Sequence, residues 1–593
     1  MTANLRTIAA SFVVILCVAT LHAEAGPRRP HASLDKATSK AVSREEDSAV
    51  IVRYRPGSQT RVLRGMAAQR MSVRRRHGSL NAVSMTTNGA GLRKLVGDED
   101  VIGISADAKV KAHQDLWSSL GSLTAMDAQQ LRSTLGLPKA PVGGRGVGIA
   151  IIDSGIAPMP DLAGRIVAFR DFTRGGIETF PTDGYGHGTH VAGLIAGSGL
   201  LSAGRYVGVA PEARLIGLKV LDDTGSGRTS DVIAAIEFAI DNRVALGIHV
   251  INLSLGHPIL EPAADDPLVQ AVENASAAGI IVVASAGNFG KAVGASAPGF
   301  GGITSPGNAP SALTVGAART EFTVSRADDS IPDYSSRGPT MYDSLPKPDV
   351  LAPGSGLIAT ADWRSLLGSK SALQTGTSGY IRLSGTSMAA AVATGVVALM
   401  VEANRADNPL TRLTPNMVKM MLQFSAIRVD RTGDTLAALR EGAGEINAMG
   451  AVELARAVNP GATVGDYWLE RGFTTASTIG GLVEPWTRTV TWADSLLNGD
   501  ILNRAEFAWL TLDAWGTPVT WTPGTWSGGR LVYDTLAAWS NDLVWSSQVV
   551  ALDDDDHIVW GNSFDDDHIV WGNSFDDDHI VWGNSFLLPG ELR

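Results

Sequence analysis

Short apolar runs rich in valine and isoleucine alternate with alanine-rich stretches between about residues 125 and 458 of this chain. Four of these runs are GVGIAIIDSG, ARLIGLKVL, VINLSLG and GIIVVASAGN. Strands that are apolar along their whole length are typical of parallel sheets, in which helices cover both faces. The pattern therefore predicts an α/β fold with a mainly parallel sheet flanked by helices. In such folds, functional groups lie beyond the carboxyl ends of the strands.

Four polar residues occur where these predicted strands end or where helices begin. Asp153 ends the strand in IAIIDSG, and Asn288 ends the strand in VVASAGN. His187 in GHGTHVAG and Ser387 in SGTSMAAAV each begin a predicted helix. Taken singly, each residue also fits a structural role, such as a helix cap, a turn cap or a packed small residue. Their joint occurrence favours a catalytic role.

The chemistry that unites these residues is nucleophilic catalysis. A serine hydroxyl becomes a nucleophile when an imidazole accepts its proton and a carboxylate orients and stabilises that imidazole. The oxyanion that forms needs fixed donors, which an asparagine amide and a backbone N–H at a helix start supply. The residues that fill these roles are Ser387, His187, Asp153 and Asn288. The alternative for His187 and His190, a metal-binding pair on one helical face, lacks a glutamate between the two histidines.

The motifs around these residues resemble those of the subtilisin-like serine proteases (subtilases). Asp-Ser-Gly, Gly-His-Gly-Thr-His-Val-Ala-Gly, Ala-Gly-Asn and Gly-Thr-Ser-Met-Ala-Ala follow one another in the subtilisin order. The resemblance covers residues 125–458 and implies a subtilisin-like fold. It also implies a serine-type endopeptidase acting on polypeptide substrates, with no cofactor required for the chemistry. It identifies Ser387, His187 and Asp153 as the triad and Asn288 as the oxyanion donor.

Two further segments resemble the strands with which subtilases bind the substrate backbone. The first segment comprises Ser254, Leu255 and Gly256, and the resemblance implies that it also lines the first specificity pocket. The second segment comprises Gly225, Ser226 and Gly227, and it would form the opposite edge of the substrate cleft.

The sequence departs from the family in three places. Ala391 stands where proline is usual, and Phe289 stands where a polar or acidic residue is common, which predicts a more apolar pocket rim. Asp161 matches a calcium ligand of the family, but the companion loop LLSAGRYVG lacks the expected Asn or Asp. A structural calcium ion at that site is therefore the less favoured alternative, and no catalytic metal is predicted.

Residues 1–25 have the pattern of a secretory signal peptide. Arg6 precedes an apolar run from Ile8 to Leu21, and a small-residue cleavage pattern follows at residues 23–25. The alternative, an anchoring helix, needs a longer run to cross a bilayer, and no later segment is long and apolar enough, so no transmembrane segment is predicted. The only cysteine, Cys17, lies in this segment. The mature protein is thus predicted to be secreted, without disulfides, thiol catalysis or cysteine-bound zinc.

The segment that follows differs in charge from the rest of the chain. Residues 26–112 contain 17 Lys and Arg against 8 Asp and Glu, a net charge of +9, whereas residues 113–593 carry −20. This difference favours association of the two parts. The runs AVIVRYRPG (49–57) and VIGISADAKVKA (101–112) predict strands of a small α+β unit. Nucleic-acid binding by RRRH (74–77) is the alternative, and the acidic remainder argues against it.

The family resemblance gives this basic segment a role. It implies that residues 26–115 are a propeptide that assists folding and acts as an intramolecular inhibitor. Autocleavage between Lys111 and Ala125 would then release the mature enzyme.

Composition changes again in residues 459–593, which contain 12 of the 14 tryptophans and no lysine. The sequence DDDHIVWGNSF occurs three times within residues 554–586, which predicts a β-rich repeat region. Its Asp-Asp-Asp-His runs fit either a solvated turn or a metal site. Two other functions stay open: a non-catalytic surface or binding protein that works through these repeats, and a peptidase restricted to its own maturation.

Overall fold

The computed structural model describes most of the chain between residues 32 and 498. The ranges are 32–43, 47–113, 128–137, 142–291, 295, 297–432, 434, 436–460, 473–492 and 495–498, with two further segments at 558–561 and 580–583. The predicted signal peptide and most of the predicted repeat region lie outside the described residues.

Residues 32–106 form the predicted small α+β unit, hereafter the N-terminal unit. Its five strands pair in the order β1-β5-β2-β4-β3, and three helices accompany them. The bounds are β1 Ser33–Leu34, α1 Lys36–Ser43, β2 Ser48–Tyr54, α2 Gln59–Ala68, β3 Val73–His77, β4 Ala82–Thr87, α3 Gly89–Val96 and β5 Val101–Ala106. Side chains alternate across a strand, so Val50 and Val52 of β2 enter the core of this unit, whereas Ile51 joins an apolar cluster of the domain that follows.

The chain then crosses to the larger domain through a short strand, β6 (Lys109–Ala112), and a helix, α4 (Ala128–Thr134). The remaining strands of the larger domain are β7 Gly148–Asp153, β8 Ile166–Asp171, β9 Ile177–Glu178, β10 Arg214–Lys219, β11 Ser226–Arg228, β12 Ile248–Leu253, β13 Leu255–Gly256, β14 Ile281–Ser285, β15 Leu313–Ala318, β16 Val350–Pro353, β17 Leu357–Thr360 and β18 Tyr380–Leu383. Its helices are α5 His187–Ala196, α6 Thr229–Asp241, α7 Pro267–Ala277, α8 Thr386–Asp407, α9 Pro415–Phe424, α10 Ala437–Glu441 and α11 Ala448–Ala457.

The main sheet has eight strands in the order β16-β15-β14-β12-β7-β10-β8-β9, and every pair except β8–β9 is parallel. Strand β7 is buried on both faces because its residues alternate between two cores. Ile149 and Ile151 pack with α5 and α8, whereas Ala150 and Ile152 pack with α6 and α7. The predicted α/β fold, a mainly parallel sheet flanked by helices, is therefore confirmed.

Among the described helices, α8 is long and apolar enough to span a membrane, so the prediction that no segment after the signal pattern meets this criterion was wrong. Of its most apolar 18-residue window, 89% lies buried inside the protein. Its apolar surface is thus used in the core beneath the sheet.

The N-terminal unit lies against α6 and α7 with complementary charge. Arg74 and Arg75 of β3 pair with Asp231 of α6 at 2.7 and 2.9 Å. Glu237, two helical turns further on, accepts hydrogen bonds from the backbone and hydroxyl of Ser79. The RRRH run therefore faces an acidic helix of the same chain.

The compact body continues past the predicted boundary at residue 458. A hairpin of β19 (Ala476–Ile479) and β20 (Leu482–Pro485) precedes Trp486, which is 3% exposed. The indole stacks on Phe473 at 5.9 Å and meets the edge of Phe424 on α9 at 6.1 Å. The first part of the tryptophan-rich region thus completes the core of the larger domain.

Four more strands are described after this hairpin: β21 Thr489–Trp492, β22 Ser495–Asn498, β23 Ile558–Gly561 and β24 Ile580–Gly583. The last two have the sequence Ile-Val-Trp-Gly from the first and third repeats, and they pair in parallel with identical residues in register. The β-rich character of the whole repeat region stays a prediction, since most of that region lies outside the described residues.

Candidate active site

Asp153 and His187 form a buried pair at the carboxyl edge of the main sheet. Asp153 is the last residue of β7 and His187 the first of α5, and neither side chain is exposed. The His187 Nδ1 lies 2.8 and 3.0 Å from the two carboxylate oxygens of Asp153. This contact fixes the proton on Nδ1 and leaves Nε2 as the basic atom. Nε2 is buried and has no hydrogen-bond partner among the described residues.

A second carboxylate, Asp183, holds the turn that precedes His187. One of its oxygens accepts from the Gly186 backbone N–H and the Ser154 hydroxyl, both at 2.8 Å. The other accepts from the Thr189 backbone N–H and hydroxyl. Gly186 has a φ of 100°, a conformation that favours glycine. Asp183 therefore positions the start of α5, and no sequence motif had assigned it a role.

Ser387 lies in the first turn of α8, where the helix start directs backbone N–H groups towards the cleft. Its hydroxyl donates to the Ser254 carbonyl at 2.9 Å, and the Ser254 hydroxyl donates to the Ser387 carbonyl at 3.1 Å. Asn252 donates to the same Ser254 hydroxyl and accepts from Thr394 of α8, both at 2.9 Å. This chain of hydrogen bonds fixes Ser387 relative to β12.

Asn288 is oriented by the residue before Ser387. Its Oδ1 accepts from the Thr386 backbone N–H at 3.0 Å and from the Thr386 hydroxyl at 2.9 Å. The Nδ2 group is buried and has no partner among the described residues. Because a buried donor without a partner costs free energy, this amide group is suited to an acceptor that develops during a reaction.

The two predicted substrate strands form the edges of the cleft, and residues of this same chain lie between them. Strand β6 pairs antiparallel with β11 on one side and β13 on the other. Lys111 lies opposite both Ser226 and Gly256, Val110 lies opposite Gly227, and Ala112 lies opposite Leu255. Gly225 accepts a hydrogen bond from the Ala112 backbone at 3.4 Å. The chain is thus held by its main chain as an added strand.

His113, the residue after β6, lies beside Ser387. Its carbonyl oxygen accepts a hydrogen bond from the Ser387 backbone N–H at 3.2 Å, and its own N–H donates to the Ser254 carbonyl. Its ring is buried, with Nδ1 2.8 Å from the Ser285 hydroxyl and with Phe289 edge-on at 6.5 Å. Sequence reasoning missed the positions of both His113 and Ser285. Phe289 was predicted at the pocket rim.

The contacts of His190 and Asp161 do not favour a metal ion at either residue, whereas the Asp-Asp-Asp-His runs of the repeats lie outside the described residues. His190 donates from Nε2 to the Leu357 carbonyl at 3.2 Å, and burial lowers its pKa to about 3, so it is a neutral packed residue. Asp161 uses one carboxylate oxygen for the Leu201 backbone N–H at 2.9 Å and the other for the Tyr380 hydroxyl. Because hydrogen-bond donors already contact both of its carboxylate oxygens, Asp161 does not suit a calcium site. Within the described ranges, no three His, Cys, Asp or Glu side chains are grouped to hold a metal ion.

Comparisons with known proteins agree with this geometry. A family model of the subtilase family matches residues 144–445, just over half of the chain. Serine protease AprX of Bacillus subtilis is 37% identical over 361 residues, which are 60% of this chain and 76% of AprX. Subtilisin Savinase of Lederbergia lenta is 36% identical over 261 residues, which are 44% of this chain and 78% of that protein.

Among solved structures, fervidolysin from Fervidobacterium pennivorans, a keratinolytic enzyme related to subtilisin, has a similar fold. The TM-score is 0.56 at 20% sequence identity, and the match covers 77% of this chain and 71% of fervidolysin. At this identity the likeness shows the fold alone. The family match and the two sequence relatives carry the assignment further: this chain belongs to the subtilase family and is a serine protease.

Proposed function

We propose that this chain is a secreted serine endopeptidase that releases its own propeptide by cutting the bond between His113 and Gln114. The observation that carries the proposal is the hydrogen bond from the Ser387 backbone N–H to the His113 carbonyl oxygen. This is the position of an acyl group about to be attacked, because the donor lies where the oxyanion would form. The bond lies within the range 111–125 predicted from the sequence.

The proposed reaction uses the side chains around that carbonyl. Ser387 attacks the His113 carbonyl carbon while its hydroxyl proton passes to Nε2 of His187. Asp153 holds the imidazole by Nδ1 and stabilises its charged form. The hydroxyl must first leave the Ser254 carbonyl, its acceptor in this structure.

The oxyanion that forms on the former carbonyl oxygen would accept from the Ser387 backbone N–H and the Asn288 amide. As the intermediate collapses, His187 gives the proton to the departing amine of Gln114, leaving the His113 carbonyl attached to Ser387. Water then attacks this ester with His187 again as the base, and the hydroxyl of Ser387 is restored. The same steps would cleave other polypeptides once the segment before Gln114 leaves the cleft.

The proposed inhibition by the propeptide follows from its contacts. After the cut, residues up to His113 keep their pairing with β11 and β13 and their contact with α6 and α7. The amino-terminal signal pattern and the confinement of cysteine to Cys17 support secretion.

The chemistry is proposed to need no cofactor, because every step uses groups of the chain. At Asp161, the Leu201 backbone N–H and the Tyr380 hydroxyl already contact the two carboxylate oxygens. We expect peptide hydrolysis and thermal stability to be unchanged by EDTA. A large fall in melting temperature that calcium restores would contradict this part of the proposal.

Intact masses of the wild type and Ser387→Ala, both expressed from residue 26, test the nucleophile. The wild type should lose the propeptide, and the variant should keep it. Adding mature wild-type enzyme to the variant should then cut the same bond, which separates a dead nucleophile from a misfolded chain. Loss of the propeptide by both proteins would assign maturation to another protease.

A further inference from the structure

The pocket that holds the His113 ring presents a serine hydroxyl to the ring at its base. Ser285 is the last residue of β14 and is fully buried, and its hydroxyl oxygen lies 2.8 Å from Nδ1 of His113. The same hydroxyl lies 3.3 Å from the Leu253 carbonyl, to which it donates. A hydroxyl that donates to Leu253 keeps lone pairs to accept from Nδ1–H of the imidazole. The Ser285 hydroxyl therefore both donates and accepts a hydrogen bond when the ring is in the pocket.

The walls of the pocket fit a flat side chain. A Cβ atom at Gly256 would lie 2.7 Å from Cε1 of His113, so only glycine leaves room for the ring on this side. The Phe289 ring meets the imidazole nearly perpendicularly, at an interplanar angle of 85°. A flat ring with one hydrogen-bonding edge fits the space beside Gly256 and packs against Phe289, whereas an aliphatic side chain does neither as well.

The pocket admits the imidazole in its neutral form. Burial lowers the pKa of His113 to about 3, and the charged forms of His187 and His257 would lower it further. The charges of both histidines act on the His113 ring, and His257 has its Nδ1 2.7 Å from the Pro258 carbonyl. A protonated histidine, lysine or arginine in this position would lose its hydration without gaining a counter-charge from the groups named here.

We propose that Ser285 determines the enzyme's preference for the residue before the scissile bond, and that this residue is preferentially a neutral histidine. The inference rests on the proposed function, since it takes the contacts of His113 as those of a substrate. Because the Ser285 hydroxyl keeps its hydrogen bond to Leu253 when no imidazole is present, an apolar residue is disfavoured only moderately, by roughly tenfold rather than by thousands.

Peptide hydrolysis by the mature enzyme tests this preference. Peptides that differ only in the residue before the scissile bond (His, Leu, Phe or Lys) would be compared at about pH 8 by kcat/KM. The wild type should cleave the histidine peptide roughly tenfold better than the leucine peptide. Ser285→Ala should lose roughly tenfold on the histidine peptide and change by less than about twofold on the leucine peptide. Equal losses on both peptides would overturn the proposal.

A matched control and a processing experiment guard against a general defect. Ser311→Ala removes another buried serine hydrogen bond, to Glu273 outside the pocket, and should leave the ratio of the two peptides unchanged. In the full-length chain, Ser285→Ala should slow processing of the natural sequence but not of the His113→Leu chain. If Ser285→Ala slowed both chains alike, the serine would have a purely structural role.

The pH dependence of the histidine-to-leucine ratio of kcat/KM separates recognition of histidine from a purely structural role of Ser285, because a structural role would not change this dependence. A free histidine side chain titrates near pH 6.5, and the pocket accepts the neutral form. The histidine-to-leucine ratio of kcat/KM should therefore be constant above about pH 7.5 and fall up to tenfold per unit below about pH 6. A constant ratio would overturn the proposal. Absence of hydrolysis of every peptide by the wild type would instead refute the proposed function itself.

Discussion

The N-terminal part of this chain contacts the protease domain at two places that differ in chemistry. The sheet of the N-terminal unit lies on α6 and α7, where Ile51 is buried and two arginines pair with Asp231. Residues 109–113 instead lie in the cleft, held by backbone pairing and by the single side chain of His113. The first contact is broad and the second is narrow. Under the proposed function, the broad contact supplies the affinity of the propeptide and the narrow one determines which bond is cut, so inhibition and cleavage should be separable by substitution.

The largest effect is expected in the cleft, from Asn288→Ala. Loss of this oxyanion donor should lower turnover roughly 10²- to 10³-fold, a range measured in a subtilisin and carried over to this chain rather than worked out from its structure. Processing should slow in parallel, while the affinity of the released propeptide is unchanged because the broad contact is intact. The rates of peptide hydrolysis and of propeptide release would measure these two effects. Wild-type turnover would contradict the role given to Asn288.

At the broad contact, Ile51→Ala should weaken propeptide binding without changing peptide hydrolysis. Truncation removes apolar area buried between the sheet and the helices of the protease domain, and the dissociation constant should rise roughly 30- to 100-fold. The activity that appears when the processed complex is serially diluted measures this constant. Ile102→Ala is the matched control, since Ile102 is 41% exposed on the same sheet. Equal effects of the two substitutions would contradict the account.

A smaller effect is expected from Asp231→Asn, which removes the shared partner of Arg74 and Arg75. The arginines are 38% and 17% exposed, so solvent screens these pairs and the dissociation constant should rise only about tenfold. The dilution assay at low and high salt measures this, and added salt should reduce the difference. Asp241→Asn, an exposed position at the end of the same helix, should have no effect. A salt-independent loss would point to a packing defect instead.

The smallest effect concerns pH at the edge of the broad contact. Burial, with the charges of Asp266 and Asp35, raises the pKa of Glu261 to about 9, while Ser105 and Arg53 act in the opposite direction. A carboxyl group with a raised pKa stabilises the complex while it is protonated, and this contribution is lost as pH rises from the ordinary carboxyl range towards 9.

Only the part of this shift that the N-terminal unit supplies, through burial and Asp35, changes on binding, so the dissociation constant should increase by roughly threefold to tenfold between about pH 6 and pH 9. The dilution assay at these pH values measures the change, with Glu261→Gln as the control that should abolish it. Tighter binding at high pH would show that Glu261 does not carry the effect.

The sequence predicted the parallel sheet and the strand and helix ends near which Asp153, His187, Asn288 and Ser387 lie. It did so because apolar strands, glycine-rich turns and helix starts are local features. The run 101–112 was predicted as one strand region, but the structure divides it into β5 and β6 in different sheets. The division falls at Asp107, which accepts hydrogen bonds from the Ser230 backbone and hydroxyl at the start of α6. Such a long-range contact leaves no periodic signal.

The contents of the pocket could not be predicted for the same reason. Which residue reaches Ser387 depends on how the N-terminal unit sits on α6 and α7 and on the length of chain between β5 and the cleft. The one local signal for Ser285 is a serine at the end of the apolar run IIVVAS, three residues before Asn288.

The identity of the first residue of the mature enzyme tests the central claim most directly. Mass spectrometry of both products of wild-type processing, from the chain expressed from residue 26, would identify it. The account predicts one fragment that ends at His113 and a mature chain that begins at Gln114. A different terminus, or the same terminus in Ser387→Ala, would contradict the assignment of His113 to the pocket as a substrate residue.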